Sequence, residues 1–340
     1  MKKIILWQTA FLGDLILTTP LIASIKNIFP NSKLHIITKP FGKQVLKNNP
    51  YVNKLIIFDK SKDSTLKLIK DLRKEKYDLA ISPHRSHRAA YSLFLAGIPE
   101  RVGFDKGGFS FLYTKKAKHA FDGIHEIDRN FRLLKALDKN ISEENFQRFP
   151  QLFLTKEEDQ FYKSIGLQDK DYLLIAPGSK WKTKRWTAKG FADLIKKLYK
   201  KENIVLIGGK EDKQFTDEIL KIAQLNPINL VGKTDLRQTF SLIKHSKGLI
   251  SNDSAPVHMA VAFNIPVVDI YGPTVKDFGF YPYRNGIIVE IKDLKCRPCG
   301  LHGHNNCPIN THECMEKITA DMVLDALKSL IPDLNYTNYI

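Results

Sequence analysis

The chain has 340 residues, 43% of them hydrophobic and 26% charged, which is typical of a globular protein long enough for two domains. No apolar run approaches the roughly 20 residues of a membrane-spanning helix, and the first residues lack a secretory-signal pattern, so we expect a cytoplasmic protein. The net charge is +17, and residues 1–150 hold 27 Lys and Arg against 14 Asp and Glu. This excess indicates either an anionic partner or a surface that is merely soluble. Nucleic acid is disfavoured, because helix-turn-helix, zinc-finger and RNP signatures are absent.

Short apolar strands alternate with helical segments along the chain. Strands are predicted at residues 3–7, 34–38, 54–58, 77–82, 101–104, 172–176, 204–207, 229–231, up to 250, and 267–271. Helices are predicted at 14–28 with a kink or break at Pro20, and at 66–74, 89–96, 125–137, 188–199, 212–224, 236–243, 256–263 and 319–330. A polar segment, 138–155, separates two such series. We therefore predict an α/β fold with two Rossmann-like, doubly wound domains, residues 1–150 and 151–340, that face a cleft.

Gly13 and Asp14 follow the first predicted strand, at the sheet edge where ligands of parallel sheets bind. The chain has no Gly-x-Gly-x-x-Gly motif, no Walker A loop and no Gly-x-Ser-x-Gly motif, so the usual dinucleotide, NTP and serine-hydrolase sites are not indicated. Asp14 is either a helix cap or a general base.

Two further strand-to-helix turns carry polar groups. Residues 180–185 hold four cations in six residues, after a buried strand and Ser179, which favours phosphate binding over a solvated basic loop. Gly208 and Gly209 precede Glu211, which is either a helix cap or an acceptor for ribose or sugar hydroxyls.

Residues 248–274 have the pattern of strand, tight turn, helix and strand. Asn252, Asp253 and Ser254 are N-cap residue types, and Pro256 falls in the first helical turn. A helix that begins directly after a strand presents unpaired N–H groups and a positive dipole end, which suits a phosphate. An ordinary, well-capped βαβ unit is the alternative.

All four cysteines, Cys296, Cys299, Cys307 and Cys314, lie within 19 residues near the C-terminus. This clustering indicates a structural zinc site or, in a reducing compartment, free buried thiols.

Five motifs, in this order and spacing, resemble the ADP-heptose:lipopolysaccharide heptosyltransferases, glycosyltransferase family nine, over nearly the whole chain. They are Gln8 to Asp14 with Thr18-Thr19-Pro20, Ala96 to Phe104, Pro177-Gly178-Ser179 through Lys184-Arg185-Trp186, Ser251 to His258, and Tyr271 to Thr274. The Cys-rich tail is similar to the heptosyltransferase II branch. The resemblance implies a GT-B fold and a metal-independent, inverting transfer of heptose from ADP-heptose to the lipopolysaccharide inner core.

The resemblance also implies roles for particular residues. Asp14 is the general base and Lys184 contacts the donor phosphates. The other implied donor-site residues are Gly13, Ser179, Glu211, Asp253, Ser254, Ala255 and His258.

Residues 1–150 would bind the phosphorylated lipid A–core acceptor and residues 151–340 the donor, with the last helix a candidate to pack back on the N-terminal domain. Because core acceptors are acidic, Arg85, His87 and Arg88, at the end of a first-domain strand, are expected to contact the acceptor. We expect no required cofactor, no nucleic-acid partner and peripheral contact with an anionic inner membrane. Two alternatives stay open: another nucleotide sugar or acceptor on the same fold, and a non-catalytic nucleotide-sugar-binding protein.

Overall fold

The computed structural model describes residues 1–199 and 201–334. The chain divides into two compact units, residues 1–153 and 154–340, and this boundary lies three residues from the one expected from the polar segment. Each unit contains one six-stranded parallel sheet, so the predicted α/β class with two doubly wound sheets is confirmed. Within the described ranges, no helix is both long enough and apolar enough to cross a membrane.

The first unit has its strands in the order β3-β2-β1-β4-β5-β6. The strands are β1 Lys3–Gln8, β2 Lys33–Thr38, β3 Lys54–Ile57, β4 Leu79–Ser82, β5 Glu100–Phe104 and β6 Lys115–Ala117. The helices are α1 Leu12–Ile28, α2 Gly42–Val45, α3 Thr65–Glu75, α4 His87–Leu95 and α5 Glu126–Leu137, with short 3-10 turns at Ser110–Leu112 and Glu143–Asn145.

The second unit has the order β12-β11-β10-β7-β8-β9. The strands are β7 Tyr172–Ala176, β8 Asn203–Leu206, β9 Ile228–Asn229, β10 Gly248–Asn252, β11 Val267–Tyr271 and β12 Gly286–Glu290. The helices are α6 Lys156–Asp159, α7 Phe161–Ser164, α8 Ala188–Leu198, α9 Lys213–Ala223, α10 Leu236–His245, α11 Ala255–Phe263, α12 Glu313–Glu316 and α13 Ala320–Leu330, with 3-10 turns at Lys182–Lys184, Lys210–Asp212 and Lys276–Phe278. The last helix, α13, packs on β11, β12 and α8 of its own unit.

Both sheets change winding direction at their centre. In the first unit the chain runs outward from β1 through β2 to β3 and then returns to the other side with β4; in the second it does the same from β7 to β10. Loops that leave neighbouring strands at such a switch point diverge to opposite faces of the sheet and leave a crevice between them. The loops after β1 and β4, and after β7 and β10, are therefore the places to look for sites.

Two strands were missed by the sequence analysis, β6 and β12. Both lie at a sheet edge, and β12 reads Gly-Ile-Ile-Val-Glu, an apolar run that could have been recognised. Strand β6 reads Lys-Lys-Ala, which has no apolar run to detect.

Helix α1 runs without a break from Leu12 to Ile28, so of the kink or break predicted at Pro20 the break is wrong. Proline has no N–H, and the carbonyl of Ile16, four residues earlier, loses its helical donor. The hydroxyl of Thr19 donates to that carbonyl at 2.7 Å and restores the lost hydrogen bond. The same hydroxyl accepts the backbone N–H of Gln151 at 2.9 Å.

We predict that Thr19→Val lowers the free energy of unfolding by about 2–4 kcal/mol, because the buried carbonyl of Ile16 and the partly buried N–H of Gln151 lose their partner at a site of unchanged volume. Urea denaturation measures this. Thr311→Val, at an exposed threonine, is the control. A loss no larger than that of the control would show that Thr19 does not support the helix.

Candidate functional site

Asn252 fastens the basic loop after β7 to the end of β10. The side chain is fully buried. Its Oδ1 accepts the backbone N–H of Trp186 at 2.9 Å, and its Nδ2 donates to the carbonyl of Pro177 at 2.7 Å. Both ends of the basic loop are thereby fixed at the switch point of the second sheet.

Lys184 and Asp253 form an ion pair at this edge. Lys184 Nζ lies 2.5 Å from Asp253 Oδ2, which also accepts the hydroxyl of Thr274 at 2.6 Å. The two charged side chains are only 13% and 8% exposed. Burial opposes ionisation of Asp253, but Lys184 and Thr274 outweigh it and hold the pKa of that carboxyl below its usual value. The pair as a whole is neutral, and it holds the ammonium group of Lys184 in a fixed position at the sheet edge.

Helix α11 begins beside this pair, at Ala255. The N-cap residue is Ser254, as the sequence predicts, but its side chain does not cap the helix. The hydroxyl instead donates to the carbonyl of Asn252 at 3.0 Å. Pro256, in the first turn, has no N–H to be satisfied. No side chain therefore caps the start of α11, and anion binding there stays a prediction.

A group of buried polar side chains lies behind the ion pair. Burial lowers the pKa of His258 to about 4, and the charge of Lys184 adds to this against the opposing effect of Asp253, so the imidazole is neutral at pH 7. Burial raises the pKa of Asp269 well above its usual value, and Asp253 adds to it. Among the described residues, neither oxygen of Asp269 nor the hydroxyl of Tyr271 has a hydrogen-bond partner. The sequence analysis overlooked Asp269, although an aspartate in the centre of an apolar strand was a usable signal.

Ser179, Arg185 and Asp212 connect the basic loop to the glycine-rich turn after β8. Ser179 is buried, and its carbonyl accepts Arg185 Nε at 2.9 Å. Asp212 is also buried and accepts the N–H of Gly209 at 3.0 Å, whereas Glu211 is exposed. Burial raises the pKa of Asp212, with Gly209 and Arg185 opposing. Glu211 was chosen from the sequence as the functional carboxylate, and Asp212 was not identified. Asp212 is the carboxylate that joins the glycine-rich turn to Arg185 of the basic loop.

The cysteine-rich segment supports the turn that carries Lys184. Thr183 exchanges hydrogen bonds with the backbone of His304, and His312 Nε2 contacts the carbonyl of Thr183 at 2.9 Å. The backbone of His304 and the ring of His312 therefore fix the position of Thr183, the residue before Lys184.

The four cysteines are free thiols, and burial and the neighbouring thiols raise the pKa of Cys314 to about 11. Within residues 1–199 and 201–334, no three His, Cys, Asp or Glu side chains are grouped closely enough to hold a metal ion. The zinc site stays a prediction, which elemental analysis of purified protein tests.

Asp14 lies in the first turn of α1, at the switch point of the first sheet. Gly13 and Asp14 belong to the helix rather than to the loop before it, and Asp14 Oδ2 accepts the N–H of Phe11 at 3.0 Å. The capping role considered from the sequence is thus present. The neighbouring loop is joined to this one because Thr9 Oγ1 contacts His84 Nδ1 at 3.1 Å.

Asp14 interacts electrostatically with Arg85 and Glu126, and these belong to a cluster of charged and aromatic side chains in the first unit. The guanidinium groups of Arg85 and Arg129 lie 5.5 and 5.0 Å from the ring centre of Phe121. Arg129 is fully buried and paired with Glu126. Burial raises the pKa of Glu126 to about 7 against the effect of Arg129, and the charge of Asp14 adds to the rise. Sequence reasoning missed Glu126 and Arg129, because a charged pair on an amphipathic helix looks like a solvent-exposed face.

The three predicted acceptor residues occupy one segment. Arg85 precedes α4, and His87 and Arg88 form its first turn. Arg85 and His87 are exposed, and Arg88 donates to the hydroxyl of Thr65 at 2.7 Å. Arg85 interacts electrostatically with Asp14, so the structure brings these two predicted site residues near each other.

His119 is a buried histidine that lies near the same two arginines, Arg85 and Arg129. Burial, followed by the charges of Arg85 and Arg129, lowers the pKa of His119 to about 4 from its ordinary 6.5. The folded state therefore favours neutral imidazole, and the resulting stabilisation is complete above pH 6.5 and is lost as the pH falls to about 4. We predict that His119→Phe removes up to about 3 kcal/mol of this acid destabilisation. Urea denaturation across this pH range measures it; the control His87→Gln, at an exposed histidine, should keep the wild-type slope.

The sequence model of glycosyltransferase family 9 (heptosyltransferase) matches residues 65–307. A lipooligosaccharide heptosyltransferase 2 of Campylobacter jejuni is 26% identical over 337 residues, 96% of this chain and 99% of that protein. A lipopolysaccharide heptosyltransferase 3 of Escherichia coli is 29% identical over 302 residues, 81% of this chain and 84% of that protein. The solved structure of the E. coli ADP-heptose lps heptosyltransferase II superposes with a TM-score of 0.78 at 25% identity, covering 97% of this chain and 98% of that one.

Proposed function

The chain belongs to glycosyltransferase family 9, the heptosyltransferases, and from this membership we propose that it transfers heptose from ADP-heptose to the phosphorylated inner core of lipopolysaccharide with inversion. It is a glycosyltransferase enzyme with the GT-B fold and a heptosyltransferase of lipopolysaccharide core biosynthesis, so the non-catalytic alternative is set aside. Its relatives include heptosyltransferases 2 and 3, and the heptosyltransferase II-like assignment is part of this proposal.

The ion pair of Lys184 and Asp253, beside the start of α11, is the observation that carries the donor proposal. Transfer from a nucleotide sugar breaks the bond between the anomeric carbon and the diphosphate, and negative charge develops on the leaving group. A buried ammonium group and an uncapped helix start are already oriented to stabilise that charge. The proposed donor site is completed by Ser179, Asp253, Ser254, Ala255 and His258. Its proposed contact with the ribose or adenine is Glu211, which is exposed.

Asp14 is the proposed general base. It removes the proton of the acceptor hydroxyl as the oxygen attacks the anomeric carbon, and a single direct displacement inverts the configuration there. Gly13 lets the donor approach the backbone, and Arg85, His87 and Arg88 contact the acidic groups of the acceptor. The basic first unit then matches the anionic membrane face in which a lipid acceptor sits.

We predict that Asp14→Asn lowers turnover at least 100-fold while ADP-heptose binds nearly as before. Asparagine can still accept the N–H of Phe11, so the helix cap is kept and only the base is lost. Single-turnover kinetics with a core acceptor measures it, and Asp235→Asn, at another helix cap, is the matched control. Near-wild-type turnover would exclude Asp14 as the base.

We predict that Lys184→Ala lowers the transfer rate about 100-fold or more, which is typical for the loss of a group that stabilises developing charge. Lys182→Ala, at an exposed lysine of the same turn, should change it little. Steady-state kinetics with both substrates varied separates the effects. A defect confined to acceptor affinity would contradict the donor-phosphate role.

We predict that EDTA leaves the initial rate of transfer unchanged, because Lys184 and the helix start supply the positive charge at the diphosphate. The assay compares rates in buffer with EDTA and with added Mg²⁺. Loss of activity that Mg²⁺ restores would show a required cation.

A different nucleotide sugar on the same fold is the remaining alternative. Competition for donor binding among ADP, UDP and GDP separates the two. Tighter binding of UDP or GDP than of ADP would favour the alternative.

A further inference from the structure

Four large hydrophobic side chains lie exposed in the region of α4 and the loop between β5 and β6. Phe94 and Leu95, at the end of α4, are 47% and 43% exposed. Phe109 and Phe111, in the loop, are 48% and 71% exposed. Contiguous apolar groups of this kind on a soluble protein usually mark a surface that binds a partner.

Ring contacts join the loop to the helix. The ring of Phe109 lies 5.9 Å from that of Phe111 and 6.5 Å from that of Tyr91, which is one turn before Phe94 on α4. We call the side chains of Tyr91, Phe94, Leu95, Phe109 and Phe111 the aromatic patch. The backbone of Phe109 has φ +61°, a left-handed conformation that is unfavourable for a bulky side chain. The fold thus keeps a half-exposed phenylalanine at a conformational cost, as functional positions often do.

Arg101 borders the aromatic patch, and the segment of sequence that contains the patch is rich in positive charge. Residues 85–118 hold seven Lys and Arg against two Asp and Glu. One of the two acids, Glu100, is paired with Lys115 at 2.9 Å. Arg101 lies 5.4 Å from the ring centre of Phe94, while Lys106, Lys116 and Lys118 are exposed.

We propose that the aromatic patch docks this protein on the surface of an anionic lipid bilayer, with Phe109 and Phe111 in the headgroup region. Exposed aromatic side chains bordered by lysines match an interface that is apolar below and negatively charged above. A second copy of this chain is disfavoured, because a two-fold contact would bring the same positive charges together. Protein interfaces are also depleted in lysine, which is abundant here.

This inference rests on the proposed function, because docking through the aromatic patch matters for transfer only if the acceptor is anchored in a lipid bilayer. The ring of His87, one of the proposed acceptor residues, lies 6.2 Å from that of Phe109. Helix α4 therefore carries proposed acceptor residues at its start and patch residues at its end. Docking through the patch would place the membrane surface next to the acceptor residues.

Flotation with lipid vesicles tests the docking. The full chain is mixed with vesicles of phosphatidylcholine alone, or of equal parts phosphatidylcholine and phosphatidylglycerol. We expect binding to the anionic vesicles only. The double variant Phe109→Ser/Phe111→Ser should weaken it about 100-fold, roughly tenfold for each ring removed, and Lys106→Glu about tenfold.

Ile222→Ser, at an exposed apolar position on α9, is the matched control and should bind as the wild type does. Circular dichroism and thermal unfolding verify that each variant is folded. Wild-type binding by the double variant, or equal binding of the wild type to both kinds of vesicle, would overturn the proposal. So would a wild-type dimer that the double variant abolishes in sedimentation velocity while vesicle binding is unchanged.

A water-soluble acceptor separates this inference from the proposed function. With a delipidated, phosphorylated core oligosaccharide, the double variant should turn over as the wild type does, and with the acceptor in anionic vesicles it should be at least tenfold slower. Equal loss with both acceptors would overturn the docking role. Absence of transfer by the wild type to any acceptor would refute the proposed function, and flotation would still decide the docking.

Discussion

The second unit depends on a buried ion pair that is held from several sides. A lysine and a carboxylate this little exposed are stable only when paired and hydrogen-bonded, because desolvation of either charge alone is costly. Thr274 supplies a hydrogen bond to Asp253, and the segment of His304 and His312 supports the turn of Lys184. Asn252 fixes both ends of the basic loop that carries Lys184. The result is a positive group whose position is set before any ligand arrives, which is the condition for electrostatic stabilisation of a leaving group.

The proposed site of the first unit has a different arrangement of charges from that of the second. It is built around carboxylates in a basic surrounding: Asp14 in the first turn of α1, Glu126 paired with Arg129, and Arg85 nearby. The proposed base therefore interacts electrostatically with both a cation, Arg85, and a second carboxyl group, Glu126. The excess of positive charge in this half of the sequence supplies both this cation and the border of the aromatic patch. One compositional feature thus serves both the proposed base and the proposed docking surface.

Much of the fold was predictable, because buried parallel strands are short apolar runs between amphipathic helices. The edge strand β6 escaped because Lys-Lys-Ala has no apolar run, whereas β12 has the run Ile287-Ile288-Val289 and was simply overlooked. Continuity of α1 through Pro20 also escaped, because it depends on a hydroxyl of the preceding residue that replaces the lost donor. In the site, Lys184, Asp253 and the start of α11 could be chosen from the sequence, but the pairing of the first two could not. Asp212, Glu126 and Arg129 were missed, because burial of a charged group depends on tertiary neighbours that no local pattern reveals.

We propose that Asp14 and the buried ion pair serve one direct displacement on ADP-heptose. The most direct measurement is the anomeric configuration of the product, read by NMR after reaction of ADP-heptose with a phosphorylated core acceptor. We expect a single added heptose whose anomeric configuration is opposite to that of the donor. Retained configuration would rule out a single direct displacement. Transfer from another nucleotide sugar but not from ADP-heptose would rule out the proposed donor.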